Sequence, residues 1–197
     1  PMILRTSDSN PWLILIHGLG VTENVWYSPL KEKTWFISFK TLLKDANEVI
    51  PFIDRCHELY NIASWSQKAH ATIDDAAAEL YSICQSLNSG NMIFVAHSRG
   101  GLVARRAIQR YALKPKALIC LATPHYGSRF ADLAIRYQYA IKAIIPSTLQ
   151  FSKQINELKT DSDIINDINR PENLDCEKHV PHFDVCGNSI SYFLIWL

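Results

Sequence analysis

Asn91-Met92-Ile93-Phe94-Val95-Ala96 runs straight into His97-Ser98-Arg99-Gly100-Gly101. The first six residues form a continuous apolar run of strand length, which reads as a buried strand. From Arg99 to Tyr111, Leu102, Val103, Ala107 and Tyr111 recur at helical spacing, which reads as a helix. Between them lies Ala96-His97-Ser98-Arg99-Gly100, the pattern G-x-S-x-G with Ala at its first position. A chain that turns this sharply from strand to helix pushes the central serine into open space. Residues two before and two after must be small, or their side chains collide across the turn. Ala96 and Gly100 meet that demand, and Gly101 lets the helix lie closer to the sheet. Ser98 is therefore a candidate nucleophile.

Outward from this turn, strands and helices alternate. Pro11–His17 reads as a buried strand ending in Gly18-Leu19-Gly20, and Lys116–Ala122 as another. Trp35–Leu43 has helical spacing, Glu48–Ile53 reads as a short strand weakened by Pro51, and His182–Cys186 as a last strand. Ala69, Ile73, Ala76, Ala77, Leu80, Ile83, Cys84 and Leu87 form one apolar helix face. Ser64 and Gln67 are read as its capping box and Gly90 as its stop. Continuous apolar strands alternating with helices indicate an α/β domain with a mostly parallel sheet covered on both faces. The whole chain, 1–197, reads as a single domain. Ser128–Asn173 breaks the alternation; from Ala131 to Ile145 apolar residues take nearly the whole helix circumference. Such a helix is ordinary core or a lid over an apolar pocket.

The remaining composition narrows the field. Of 197 residues 48% are hydrophobic and 20% charged, with 20 Lys+Arg against 19 Asp+Glu, for a net charge of +1. That excludes a disordered chain and argues against a nucleic-acid binder. No run reaches the ~18 apolar residues of a membrane-spanning helix; a passing contact with a lipid surface is compatible with the sequence. Five cysteines show no C-x-x-C pair, His57 and His70 have no partner at metal-ligand spacing, and no phosphate-cradling glycine motif is present, so neither a metal nor a cofactor is expected. Arg105, Arg106 and Arg110 are read as a solvated helix face. The compartment stays open: no signal segment is visible, but the sequence begins at Pro1 rather than Met. The oligomeric state stays open as well.

Acyl transfer needs two backbone N–H groups aimed at the developing oxyanion. Arg99, directly after Ser98, supplies one candidate amide, and Leu19 in the glycine loop the other. His17 is read as holding that loop through hydrogen bonds rather than as a base.

Together, His17-Gly18-Leu19-Gly20, Ala96–Gly101 and Leu121-Ala122-Thr123-Pro124-His125-Tyr126-Gly127-Ser128 resemble α/β-hydrolases of the lipase and esterase group. The likeness is to triacylglycerol-lipase-like and GPI inositol-deacylase-like serine esterases. It implies an α/β-hydrolase fold, Ser98 as nucleophile, the Leu19 and Arg99 amides as oxyanion hole, and His125 as a structural residue at the pocket rim. The expected activity is cleavage of carboxylic esters, with lipid-like ones expected in view of the insertion. Peptide cleavage, thioester hydrolysis and acyl transfer to an alcohol stay open. The family's order is Ser, then acid, then His. Past Ser98 the histidines are His125, His179 and His182, none placed as that order requires, and Asp184 lies within a strand. With the apolar ending Tyr192–Leu197, this leads to the expectation that the acid and histidine lie beyond Leu197. The alternative is a catalytically silent binding scaffold or a truncated fragment.

Overall fold

The computed structural model describes residues 2–5, 7–26, 56–68, 70–87, 90–136 and 152–186. Six strands form one sheet in the order β1-β3-β2-β4-β5-β6, with β1 (Met2–Leu4), β2 (Trp12–Ile16), β3 (Asn61–Ser64), β4 (Met92–His97), β5 (Ala117–Leu121) and β6 (His182–Val185). β1 pairs antiparallel with β3, and every other pair is parallel. All five residues of β2 are buried, as its unbroken Trp-Leu-Ile-Leu-Ile run requires of a central strand.

Helices α1 (Ile73–Leu87) and α2 (Arg99–Tyr111) cover one face of the sheet. Ile73, Ala76, Ala77, Leu80, Cys84 and Leu87 of α1 meet Ile14, Ile16, Phe94 and Ala96 in the main core. Truncating a fully buried side chain such as Leu80 to Ala would cost about 2–5 kcal/mol. The opposite face carries Leu13, Leu15, Ile62 and Val95 under Trp26 of a short 3-10 turn, Glu23–Trp26. Among the described residues four short helices follow β5: α3 (Arg129–Arg136), α4 (Ser152–Glu157), α5 (Asp163–Ile168) and α6 (Pro171–Glu177). Among the described residues no helix is long and apolar enough to cross a membrane.

Several expectations change here. The strand expected at Glu48–Ile53 and the helix at Trp35–Leu43 lie outside the described residues. The strand beside β2 is Asn61–Ser64, whose polar ends hid it. Asn61 is nonetheless buried, and its amide donates to the Ser7 and Asn10 carbonyls at 2.7 and 2.9 Å. Ser64 therefore belongs to β3 and not to the start of α1. The box at the start of α1 is Thr72 with Asp75: each backbone N–H donates to the other's side-chain oxygen at 3.0 Å. The apolar segment 131–145 is described only to Arg136. Further along the insertion, Leu158, Ile165 and Ile168 are buried in the main core.

The arginines of α2 do not form a solvated face. Arg105 and Arg106 are buried, and only Arg110 is substantially exposed. Arg105 grips Glu177 of α6 through Nε and Nη2, the shortest contact being 2.7 Å. Arg106 bridges Asp74 of α1 and Asp167 of α5 at 2.6 Å each. The short helices pack on the very face that the charge pattern assigned to water.

Candidate active site

Ser98 sits where β4 ends and α2 begins, at φ 52° and ψ −124°, a region that side chains oppose. Its N–H donates to the Leu121 carbonyl at 2.8 Å, and its carbonyl accepts from the Gly101 N–H at 3.0 Å. The glycines follow from crowding. A Cβ at Gly100 would stand 2.5 Å from the Ile16 carbonyl oxygen and 2.7 Å from that of His17. One at Gly101 would run into the Thr123 side chain, and one at Gly18 would lie 2.9 Å from Cβ of Ser98. The glycine loop after β2 thus lies directly against the serine.

That loop is tied down by His17. Its Nε2 accepts from the Gln67 backbone N–H at 2.9 Å, which leaves the proton on Nδ1. Nδ1 then donates to the Gly18 carbonyl at 2.8 Å. Both ring nitrogens are engaged, so His17 holds the loop. Among the described residues neither the Leu19 nor the Arg99 amide has a hydrogen-bond acceptor, and the Arg99 amide stands at the first turn of α2, where donors point outward.

The Arg99 side chain is a feature the sequence reading missed. It is 1% exposed and donates to Gln67 Oε1 at 2.6 Å, to the Ala71 carbonyl at 2.7 Å and to Glu157 Oε2 at 3.3 Å. Glu157, on α4, also accepts from the Ile73 N–H that opens α1. Burial pushes the Glu157 carboxyl up, with the helix N–H and Arg99 opposing. Nothing local in the sequence signals this cluster, because its members are drawn from residues 67, 71, 99 and 157.

A second polar group lies at the ends of β5 and β6. His125 Nε2 donates to Asp184 Oδ1 at 2.8 Å, and Nδ1 accepts from Arg105 Nη1 at 3.3 Å. Arginine only donates, so this assignment of the proton is forced. With both nitrogens taken, His125 is bound into the scaffold, and Asp184 serves it. The two residues, with Tyr126, Arg105, Glu177 and His182, border a cavity of about 410 Å³. Ser98 does not line it. Burial holds the His182 imidazole below its usual range. The Cys120 thiol lies with His125 and Asp184, their ligand atoms within 4.8 Å of one another. Burial pushes that thiol up to about 11, so it keeps its proton near neutrality. With the His125–Asp184 hydrogen bond already made, the group is satisfied without an ion. Directly before the serine, burial drives His97 down to about 3, which keeps its ring neutral.

Solved structures share this architecture. A lipase from Bacillus licheniformis in its mature form superposes with a TM-score of 0.63 at 20% identity, covering 96% of this chain and 71% of its own. The phospholipase PlaB from Legionella pneumophila gives 0.58 at 19%, covering 93% and 40%. The enol-lactonase from Burkholderia xenovorans gives 0.52 at 13%, covering 95% and 76%. At such identities the likeness establishes the α/β-hydrolase fold. No curated protein matches the sequence. The family model for palmitoyl protein thioesterase spans residues 13–169, from the second residue of β2 to Asn169 directly after α5. With the elbow and the glycine loop both inside that span, the chain belongs to the palmitoyl protein thioesterase family, whose members are ester hydrolases of the α/β-hydrolase fold.

Proposed function

We propose that this chain is a serine hydrolase that cleaves fatty-acyl esters or thioesters through an acyl-enzyme on Ser98. The carrying observation is the strained elbow at Ser98, with the glycine loop packed against its Cβ. The Ser98 oxygen attacks the acyl carbonyl, and the Leu19 and Arg99 amides receive the negative charge on the carbonyl oxygen. The alcohol or thiol leaves with a proton, and water then releases the acid and regenerates Ser98. Pre-aimed backbone donors of this kind are worth about 10²–10³ in kcat each. In this structure the ring nitrogens of His17 and His125 are hydrogen-bonded elsewhere, which argues against either as the proton acceptor. A fatty-acyl substrate is supported by the family's description and by the apolar sequence of residues 131–145.

That same commitment favours a second reading, a binding scaffold without turnover. Covalent labelling separates the two. A fluorophosphonate reports a serine activated by a nearby base, and the modified peptide is read by mass spectrometry. Labelling at Ser98, absent in Ser98→Ala, together with turnover of an acyl ester or thioester, is the expected result. A folded protein that takes no label and turns over neither substrate overturns the enzyme reading.

A further inference from the structure

We propose that Gln67 is a positioning residue of the oxyanion hole, setting the direction of the Leu19 N–H through His17. The inference rests on the acyl-enzyme reading above. The Gly18 carbonyl and the Leu19 N–H belong to one peptide unit, and in a trans peptide they point in opposite directions. No cis peptide occurs among the described residues. Anchoring the Gly18 oxygen on His17 Nδ1 at 2.8 Å therefore turns the Leu19 N–H away from His17. His17 can donate from Nδ1 only while Nε2 is the acceptor, and the Gln67 backbone N–H fixes that tautomer from 2.9 Å.

The Gln67 side chain locks the arrangement. Its Nε2 donates to the His17 carbonyl at 2.8 Å, and its Oε1 accepts from Arg99 Nη1 at 2.6 Å. Rotating the amide by half a turn would set oxygen against the His17 carbonyl and N–H against the guanidinium, so one orientation survives. The guanidinium in turn is held by the Ala71 carbonyl and by Glu157. One side chain thereby joins the strand end that carries the Leu19 amide to the residue that carries the other amide.

The test compares Gln67→Met, which keeps the length but neither hydrogen bond, and Gln67→Glu, which keeps a partner for Arg99 but sets an oxygen against the His17 carbonyl. Both are made in the full-length protein. Turnover of p-nitrophenyl butyrate is measured beside the affinity of an alkyl trifluoromethyl ketone, which forms a tetrahedral oxyanion on the serine. The expected result is a kcat lower by about 10–100-fold with KM within about twofold, and a matching loss of ketone affinity. A kcat that is unchanged, or that falls while ketone affinity holds, overturns the positioning role. Wild-type protein that takes no label at Ser98 overturns the acyl-enzyme reading itself, and this inference with it.

Discussion

Ser98 occupies backbone space that suits glycine, and the surrounding bonds to Leu121 and Gly101 hold it there. Holding a side chain in such a region costs of order 1–3 kcal/mol. Ser98→Gly should therefore raise stability by about 1 kcal/mol, read as a higher denaturation midpoint, while abolishing turnover. A midpoint that drops would show that the turn is not strained. At this scale Ser98, Gly100 and Gly101 were readable, because steric demand at a tight turn acts on neighbours in sequence. The buried guanidinium of Arg99 was not, since its partners lie dozens of positions away.

Helix α2 was legible in its extent, Arg99–Tyr111, and illegible in its outer face. Charge normally marks the solvent side of a helix, so three arginines after the elbow looked exposed. Instead α5 and α6 close over Arg105 and Arg106 with carboxylates, and Arg105 with Glu177 becomes a buried pair. Removing one partner of such a pair strands the other's charge, at about 3–5 kcal/mol. Glu177→Leu should cost that much in urea unfolding, whereas Arg105→Met with Glu177→Leu together should cost far less. Equal losses in the single and double variants would mean that the pair is not electrostatically coupled. Helix α1 teaches the converse: its apolar face was visible by period, but its start was not, because Thr72 and Asp75 compete with the equally good pattern at Ser64 and Gln67.

For the molecule as a whole, alternation of apolar runs and helices was enough to expect a mostly parallel sheet. Strand β3 escaped because Asn61 and Ser64, though buried, are polar residues whose burial depends on partners in other segments. Stability against acid is a property at this scale. His97 is neutral when folded, near pKa 3, and protonates near 6.5 when unfolded. The unfolded chain thus binds the extra proton between those values, and its share of stability is lost as pH falls from about 6.5 towards 3. Between pH 7 and 5 the loss from this one ring should be about 2 kcal/mol. Denaturant midpoints at both pH values, for wild type and His97→Gln, check this; equal pH dependence in the two would remove His97 from the account.

The crowding of Gly100 against the carbonyls of Ile16 and His17 also bears on how the site comes into being. β4, α2 and β5 are contiguous, but β2 must be recruited from far along the chain, and closing so long a loop is entropically slow. The reactive turn cannot be excised as a small working peptide. Its geometry is complete only with the distant strand in place, because Gly100 packs on the end of β2.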